Sequence, residues 1–102
     1  MNIHATHIEK IRNLCKLNNV RFLAAFGSVT RDDFNPNSDI DFVVDFNETD
    51  PILYTKLYFE LKEKLEKLLK KPIDLVEDRA IKNPFFKEEL KRTKTMVYGT
   101  QN

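Results

Sequence analysis

The feature that most constrains the fold is a pair of short apolar segments separated by little chain. Val20–Phe26 and Ile40–Phe46 each have the length and composition of a buried β-strand. The residues between them include Gly27, Pro36 and several asparagines, aspartates and serines, which favour turns over a long crossover helix. A parallel crossover needs about a dozen residues or more, so this spacing is compatible with a mixed sheet.

Helical and strand patterns alternate along the rest of the chain. Thr6 and Glu9 match a capping box, and Asp50-Pro51 is typical of a cap and first turn before a long leucine stripe. The predicted elements are helix Thr6–Leu17, strand Val20–Phe26, short helix Ser28–Arg31, strand Ile40–Phe46, helix Pro51–Lys70, strand Ile73–Val76 and helix Phe85–Lys94. This order, αβαβαβα, predicts an α/β (α+β) fold with a small mixed three-stranded sheet and about four helices.

Size and composition exclude several classes of protein. With 102 residues, the chain is predicted to form one domain, residues 1–102. The net charge of +1 disfavours direct binding of nucleic acid. The single cysteine excludes an internal disulfide and a cysteine zinc cage, which fits a reducing cytoplasm. No apolar run approaches a membrane span and no signal-peptide pattern opens the chain, so we expect a cytoplasmic, unexported protein with no membrane contact.

Three aspartates lie within or directly beside the apolar strands. Asp39 and Asp41 share one face of the second strand, about 6 to 7 Å apart along it by the usual rise per residue. Asp74 lies inside the third strand, so the three carboxylates converge if that strand lies beside the second. Carboxylates this close repel unless a cation joins them. A set of oxygen ligands favours Mg²⁺ or Mn²⁺ over zinc, and magnesium recruits phosphate oxygens, so the substrate is expected to carry phosphates.

The Gly27-Ser28 turn supplies the second half of a phosphate site. Glycine allows close backbone approach, and the serine hydroxyl and following N–H groups can donate hydrogen bonds to phosphate. Two metal ions about 3.5 to 4 Å apart would stabilise the attacking and leaving oxygens of an in-line displacement at phosphorus. Asp45 lies on the same face as the other aspartates but farther along, and we expect it to be solvated.

The combined pattern resembles a known family. Gly27-Ser28, a spacer, Ser38-Asp39-Ile40-Asp41 and a later strand aspartate are similar to the minimal nucleotidyltransferases of the DNA polymerase beta superfamily. The resemblance implies the nucleotidyltransferase fold and an enzyme that transfers a nucleoside monophosphate, usually AMP from ATP, to a hydroxyl and releases pyrophosphate.

The resemblance also implies roles for individual residues. Gly27 and Ser28 would bind the triphosphate, and Asp39 and Asp41 would hold both metal ions. Asp74 would bind the catalytic metal and help to deprotonate the acceptor. Arg31 matches a basic residue that touches a phosphate, although Thr30-Arg31-Asp32 stands where the family commonly has Ala-Arg-Gly.

Small stand-alone members of this family resemble antitoxins paired with HEPN-family ribonuclease toxins, and the acceptor there is a toxin tyrosine. A chain of 102 residues has little surface left for its own acceptor pocket, which favours a separate partner protein. The alternative is an antitoxin or nucleotide-binding module that acts by complex formation without transfer. The intact Gly-Ser turn and aspartate set favour the enzyme.

Two aromatic groups leave alternatives open. Tyr54, Tyr58 and Phe59 widen the apolar surface of the longest helix, which either is all core or contacts a partner or a second copy of the chain. Phe85 and Phe86 either anchor the last helix, the favoured interpretation, or line a base pocket.

Overall fold

The computed structural model describes residues 5–27 and 39–99. The elements are helix α1 (Ala5–Leu17), strands β1 (Val20–Phe26) and β2 (Ile40–Phe46), helix α2 (Pro51–Leu69), strand β3 (Ile73–Glu77), helix α3 (Pro84–Thr93) and strand β4 (Thr95–Gly99). A 3₁₀ turn, Asp78–Ala80, follows β3. The strands form one mixed sheet in the order β3-β2-β1-β4, which confirms the predicted fold class.

Strand β1 is antiparallel to β2 and β4, and β3 is parallel to β2. The adjacency of β2 and β3, on which the convergence of the aspartates depends, is therefore present. The sequence did not predict β4, which adds a fourth strand to the expected three. Only Val97 is buried in this edge strand, so it carries no apolar alternation that would reveal it. The predicted helix Ser28–Arg31 lies outside the described residues.

Local signals explain the ends of the longer helices. The Asp50 carboxylate accepts hydrogen bonds from the N–H groups of Ile52 and Leu53, at 2.8 and 3.4 Å, and so caps α2. Lys70 ends this helix in the left-handed region, with φ of 55°, and its N–H donates to the Glu66 carbonyl. Asn83 caps α3 in the same way as Asp50 caps α2.

Both faces of the sheet are covered. Helices α1 and α2 pack on the face formed by Ile40, Phe42 and Val44. The main core on that face contains Ile11, Cys15, Val20, Leu23, Ala25, Ile40, Phe42, Val44, Phe46, Tyr54, Leu61, Leu65, Leu69, Ile73, Leu75 and Val97. A smaller cluster on the other face contains Phe22, Ala24, Val43, Ile81 and Leu90, the last from α3. Helix α3 thus lies on the face that carries the aspartates.

None of the helices in the described part of the chain combines the length and the apolar character that a bilayer crossing requires.

Candidate active site

A row of side chains crosses three strands near one edge of the sheet. Asp41 in β2 is the register partner of Phe26 in β1 and of Asp74 in β3. Register partners on neighbouring strands project from the same face, so Phe26, Asp41 and Asp74 stand side by side. Asp39 is exposed and immediately precedes β2, at the next position on that face. The register therefore makes Asp41 and Asp74 neighbours although 32 residues lie between them in the sequence.

Gly27, the residue directly after β1, lies against the Asp41 carboxylate. Its φ of 73° lies in the left-handed region that side-chain-bearing residues rarely adopt. A methyl group at this position would overlap the Oδ2 atom of Asp41. The backbone conformation favours glycine here, and a side chain would fit only if the Asp41 carboxylate moved aside. Ser28 and Arg31, the other predicted phosphate ligands, lie outside the described residues.

The donor set fits a hard divalent cation. Across residues 5–27 and 39–99, no three Asp, Glu, His or Cys side chains are grouped closely enough to hold a metal ion as they stand. Magnesium, however, is usually bound by one or two carboxylates and completes its coordination with water and substrate phosphate. Asp41 and Asp74 provide such a pair of oxygen donors, and Asp74 forms no ion pair within the described residues.

The first turn of α3 adjoins the row. The rings of Phe86 and Phe26 meet edge to face, with centroids 6.0 Å apart. Phe86 therefore anchors α3 to the sheet, as the favoured interpretation of the sequence proposed. Phe85 does not anchor the helix, because 85% of its surface is exposed. The pair thus divides into one packed and one solvated ring.

The expectation that Asp45 is solvated is wrong. Only 6% of this residue is exposed, and its two oxygens accept hydrogen bonds from Arg21 and Arg79 at 2.8 and 2.9 Å. Arg79 also donates to the carbonyls of Phe46 and Glu48, and its guanidinium lies 4.0 Å from the centroid of the Tyr54 ring. A buried carboxylate needs such partners.

This arrangement, the Asp45 clamp, fastens the turn after β3 to the end of β2. Arg79 lies in that turn, and Asp45 lies at the β2 end farthest from Asp41. The clamp therefore holds the two parallel strands in register from the opposite end. Sequence reasoning missed it because both arginines are remote from Asp45 in the sequence, and only the strand register shows that they meet.

Cys15 is a core side chain. Burial raises the pKa of its thiol to about 12, so the nucleophilic thiolate is scarce at neutral pH. The residue lies within the main core, on the face opposite the aspartates. It takes no part in the candidate site.

Comparison with known proteins identifies the family to which this chain belongs. The family model described as polymerase beta nucleotidyltransferase matches residues 9–102. A candidate protein adenylyltransferase of Methanocaldococcus jannaschii is 42% identical over 71 residues, which cover 70% of this chain and 69% of that protein. The protein adenylyltransferase MntA of Thermococcus cleftensis is 38% identical over 72 residues, or 71% and 70% of the two chains.

A solved structure shows the same fold. It contains the tri-AMPylated HEPN toxin of Shewanella oneidensis in complex with MNT antitoxin. The match has a TM-score of 0.65 at 25% identity and covers 94% of this chain and 72% of the other. The family match over nearly the whole chain and the identity to these relatives lead to one conclusion: the chain is a nucleotidyltransferase of the polymerase beta family, in its minimal nucleotidyltransferase branch.

Proposed function

We propose that this chain transfers AMP from ATP to a tyrosine hydroxyl of a HEPN-family toxin and thereby acts as an antitoxin. The observation that carries the proposal is the placement of Asp41 beside Asp74 and against Gly27. Two carboxylates and a glycine turn at one sheet edge suit a metal-bound triphosphate. The names of the relatives, and the AMPylated toxin in the solved complex, indicate the substrate and the acceptor.

The proposed roles follow from position. Asp39, Asp41 and Asp74 would hold two Mg²⁺ or Mn²⁺ ions, which when bound stabilise charge on the attacking and leaving oxygens. The Gly27 turn, with Ser28 and Arg31, would hold the triphosphate of ATP. Gly27 has no side chain that could come between the triphosphate and the Asp41 carboxylate, so a metal ion could contact both.

Asp74 is proposed as the proton acceptor. It is exposed at the start of β3, where an incoming hydroxyl can reach it. The hydroxyl oxygen bonds to the α-phosphorus of ATP, the bond from that phosphorus to the pyrophosphate oxygen breaks, and the hydroxyl proton passes to the carboxylate. The products are the adenylylated acceptor and pyrophosphate.

The proposal is tested by incubating the chain with Mg²⁺, ATP labelled at the α-phosphate, and the toxin encoded by the adjacent gene. The unaltered chain should label the toxin, and the combined Asp39→Asn and Asp41→Asn changes should abolish labelling. Asp50→Asn is the matched control, because asparagine also caps helices and Asp50 lies outside the row formed by Phe26, Asp41 and Asp74. Gel filtration of each variant with the toxin separates loss of transfer from loss of binding.

If the doubly changed variant still labels the toxin, Asp39 and Asp41 do not hold the metal ions needed for transfer. If the unaltered chain neutralises the toxin and binds it but transfers no label, complex formation alone is the mechanism, and the transfer proposal fails.

A further inference from the structure

A surface groove is formed by α1 and α2, on the side of the sheet opposite the candidate active site. Its volume is about 370 Å³, and it is lined by Lys10, Asn13, Leu14, Lys64, Lys67 and Leu68. Both helices pack on the sheet face formed by Ile40, Phe42 and Val44, whereas Asp41 and Asp74 project from the other face. A molecule bound in the groove would therefore leave the candidate active site uncovered.

The floor of the groove is apolar. Leu14 of α1 and Leu68 of α2 are half-buried and pack against the main core. Leu17 lies one helical turn beyond Leu14, on the same side of α1, and 80% of its surface is exposed. From Lys10 to Leu17 this side of α1 spans about 10 Å by the usual helical rise, which is two turns. The groove thus offers an apolar strip that a short helix can cover.

The rim of the groove is basic, with Lys10, Lys64 and Lys67 all exposed. Within the described part of the chain, Lys10 forms no ion pair, and Lys64 donates a hydrogen bond to the neutral Oδ1 of Asn18 at 3.4 Å. Lys67 pairs with Glu63 at 3.0 Å, but both side chains are more than half exposed, so a carboxylate of another molecule can compete for this lysine. None of the six lining residues carries a carboxylate, and the rim therefore attracts an anionic partner.

Floor and rim together select among anionic partners. A nucleic-acid backbone would pair with the lysines but leave the leucines uncovered. A flat anionic bilayer would meet the exposed lysines before the half-buried leucines below them. A second copy that presented the same face would bring like charges together, which is unfavourable. An amphipathic helix with carboxylates on both flanks of an apolar stripe satisfies floor and rim at once, because a third helix can pack its ridge into the groove between two others.

We propose that this groove binds an acidic amphipathic helix of a partner protein. The bound helix places the apolar side chains of about two turns on the leucine floor and its carboxylates against the three rim lysines. The inference does not depend on the proposed transfer reaction, because the groove shares no residue with the candidate active site. A partner held here stays attached while the aspartates on the other face of the sheet remain accessible.

The test uses a fluorescein-labelled helical peptide of about 16 residues, long enough to form a helix, with leucines along one stripe and glutamates on both flanks. Titration with the full chain, followed by fluorescence anisotropy, should give a dissociation constant below about 100 μM. The combined changes Lys10→Glu, Lys64→Glu and Lys67→Glu should weaken binding by about tenfold or more, since three ion pairs become three repulsions. The same variant should bind a charge-reversed peptide, in which lysines replace the glutamates.

The matched control reverses three exposed lysines outside the groove, with Lys56→Glu, Lys82→Glu and Lys87→Glu combined. It changes the net charge equally and should bind the acidic peptide as the unaltered chain does at physiological ionic strength, where charges more than about 8 Å apart are largely screened. Leu17→Ala tests the apolar contribution at an exposed position and should weaken binding severalfold with no change of charge. Thermal melting of each variant checks that it is folded.

Several outcomes would overturn the inference. The acidic peptide could fail to bind at about 1 mM, or the groove variant could bind it as tightly as the unaltered chain. An unchanged affinity for Leu17→Ala would reduce the contact to charge alone. Binding to phosphatidylglycerol vesicles that the peptide does not displace would assign the lysines to lipid, and self-association that the groove variant abolishes would assign the groove to a second copy.

Discussion

Replacing Gly27 by alanine should impair catalysis far more than folding. The residue has a φ of 73°, and an added methyl group would overlap the Oδ2 atom of Asp41. The overlapped atom is the end of a rotatable side chain, so the carboxylate can move aside and relieve the contact. Relief by this route costs little stability, but it displaces the carboxylate that is proposed to hold both metal ions.

The size of each effect can be worked out. Left-handed backbone costs a residue with a side chain about 1 to 2 kcal/mol. Loss of glycine freedom in the unfolded chain offsets about 0.4 to 1 kcal/mol of that cost. Gly27→Ala should therefore lower the free energy of unfolding by about 1 kcal/mol. Displacement of a catalytic group by about 1 Å can cost a hundredfold in rate, so AMP transfer should fall by about that factor.

Gly99→Ala is the matched control, because the φ of Gly99 is 72°. An added methyl group there would overlap the backbone carbonyl oxygen of Arg21, which cannot move without disturbing the pairing of β1 with β4. This variant should lose about 3 kcal/mol or more, a loss in the range of other overpacked sites. Gly99 pairs with Phe22, near the end of β1 opposite Gly27, so transfer per folded molecule should be retained.

Urea unfolding gives the stability of both variants, and the initial rate of toxin labelling gives their activity at a temperature where each is folded. The reasoning is refuted if Gly27→Ala transfers AMP within twofold of the unaltered rate. It is also refuted if the two glycine variants lose activity only in proportion to their loss of folded protein.

Two further predictions concern groups outside the site. Asp45→Asn leaves Arg21 and Arg79 without a buried anion, and since both arginines are about two-fifths exposed the free energy of unfolding in urea should fall by about 2 kcal/mol; an unchanged value would contradict the clamp. Burial raises the pKa of Cys15 and of Tyr54 to about 12, above their ordinary values of 9.0 and 10.0. Stability from these groups is complete below about pH 9 and is lost as the pH rises towards 12, because the unfolded chain ionises first. Cys15→Ala should flatten the lower part of that decline in thermal melts, and native Cys15 should resist a thiol reagent at pH 8 that modifies it in urea.

The sequence predicted those elements whose hydrophobic period is strong. Strands β1 and β2 have the expected bounds, and α2 begins at the predicted Pro51 because the cap and first-turn proline are local signals. Strand β4 was missed because it is stabilised by pairing with β1 rather than by its own apolar pattern. A hydrophobic pattern predicts only structure that the segment itself determines. The edge strand β4 has little such pattern, because one residue of it is buried.

The residues of the candidate site also differ in how far the sequence alone predicts their positions. The alternation along β2 shows that Asp39 and Asp41 share a face, but the position of Asp74 depends on which strand lies next to β2 and in which register. Asp45 was misjudged for the complementary reason. Its chemistry is set by arginines that meet it only after the strands pair, so the same residue type in one strand is a candidate ligand at one end and a structural anchor at the other.

The mixed pairing of the sheet explains why these groups meet at one edge. Because β1 runs antiparallel to β2, the end of β1 lies beside the start of β2, and Gly27 follows the residue paired with Asp41. Because β3 runs parallel to β2, its start lies at the same edge and supplies Asp74. If β3 ran antiparallel to β2, its start would lie beside the far end of β2, and Asp74 would be away from Asp41 and Gly27. The parallel β2–β3 pair is therefore the part of the topology on which the proposed chemistry depends, and the Asp45 clamp stabilises that pair from the far end.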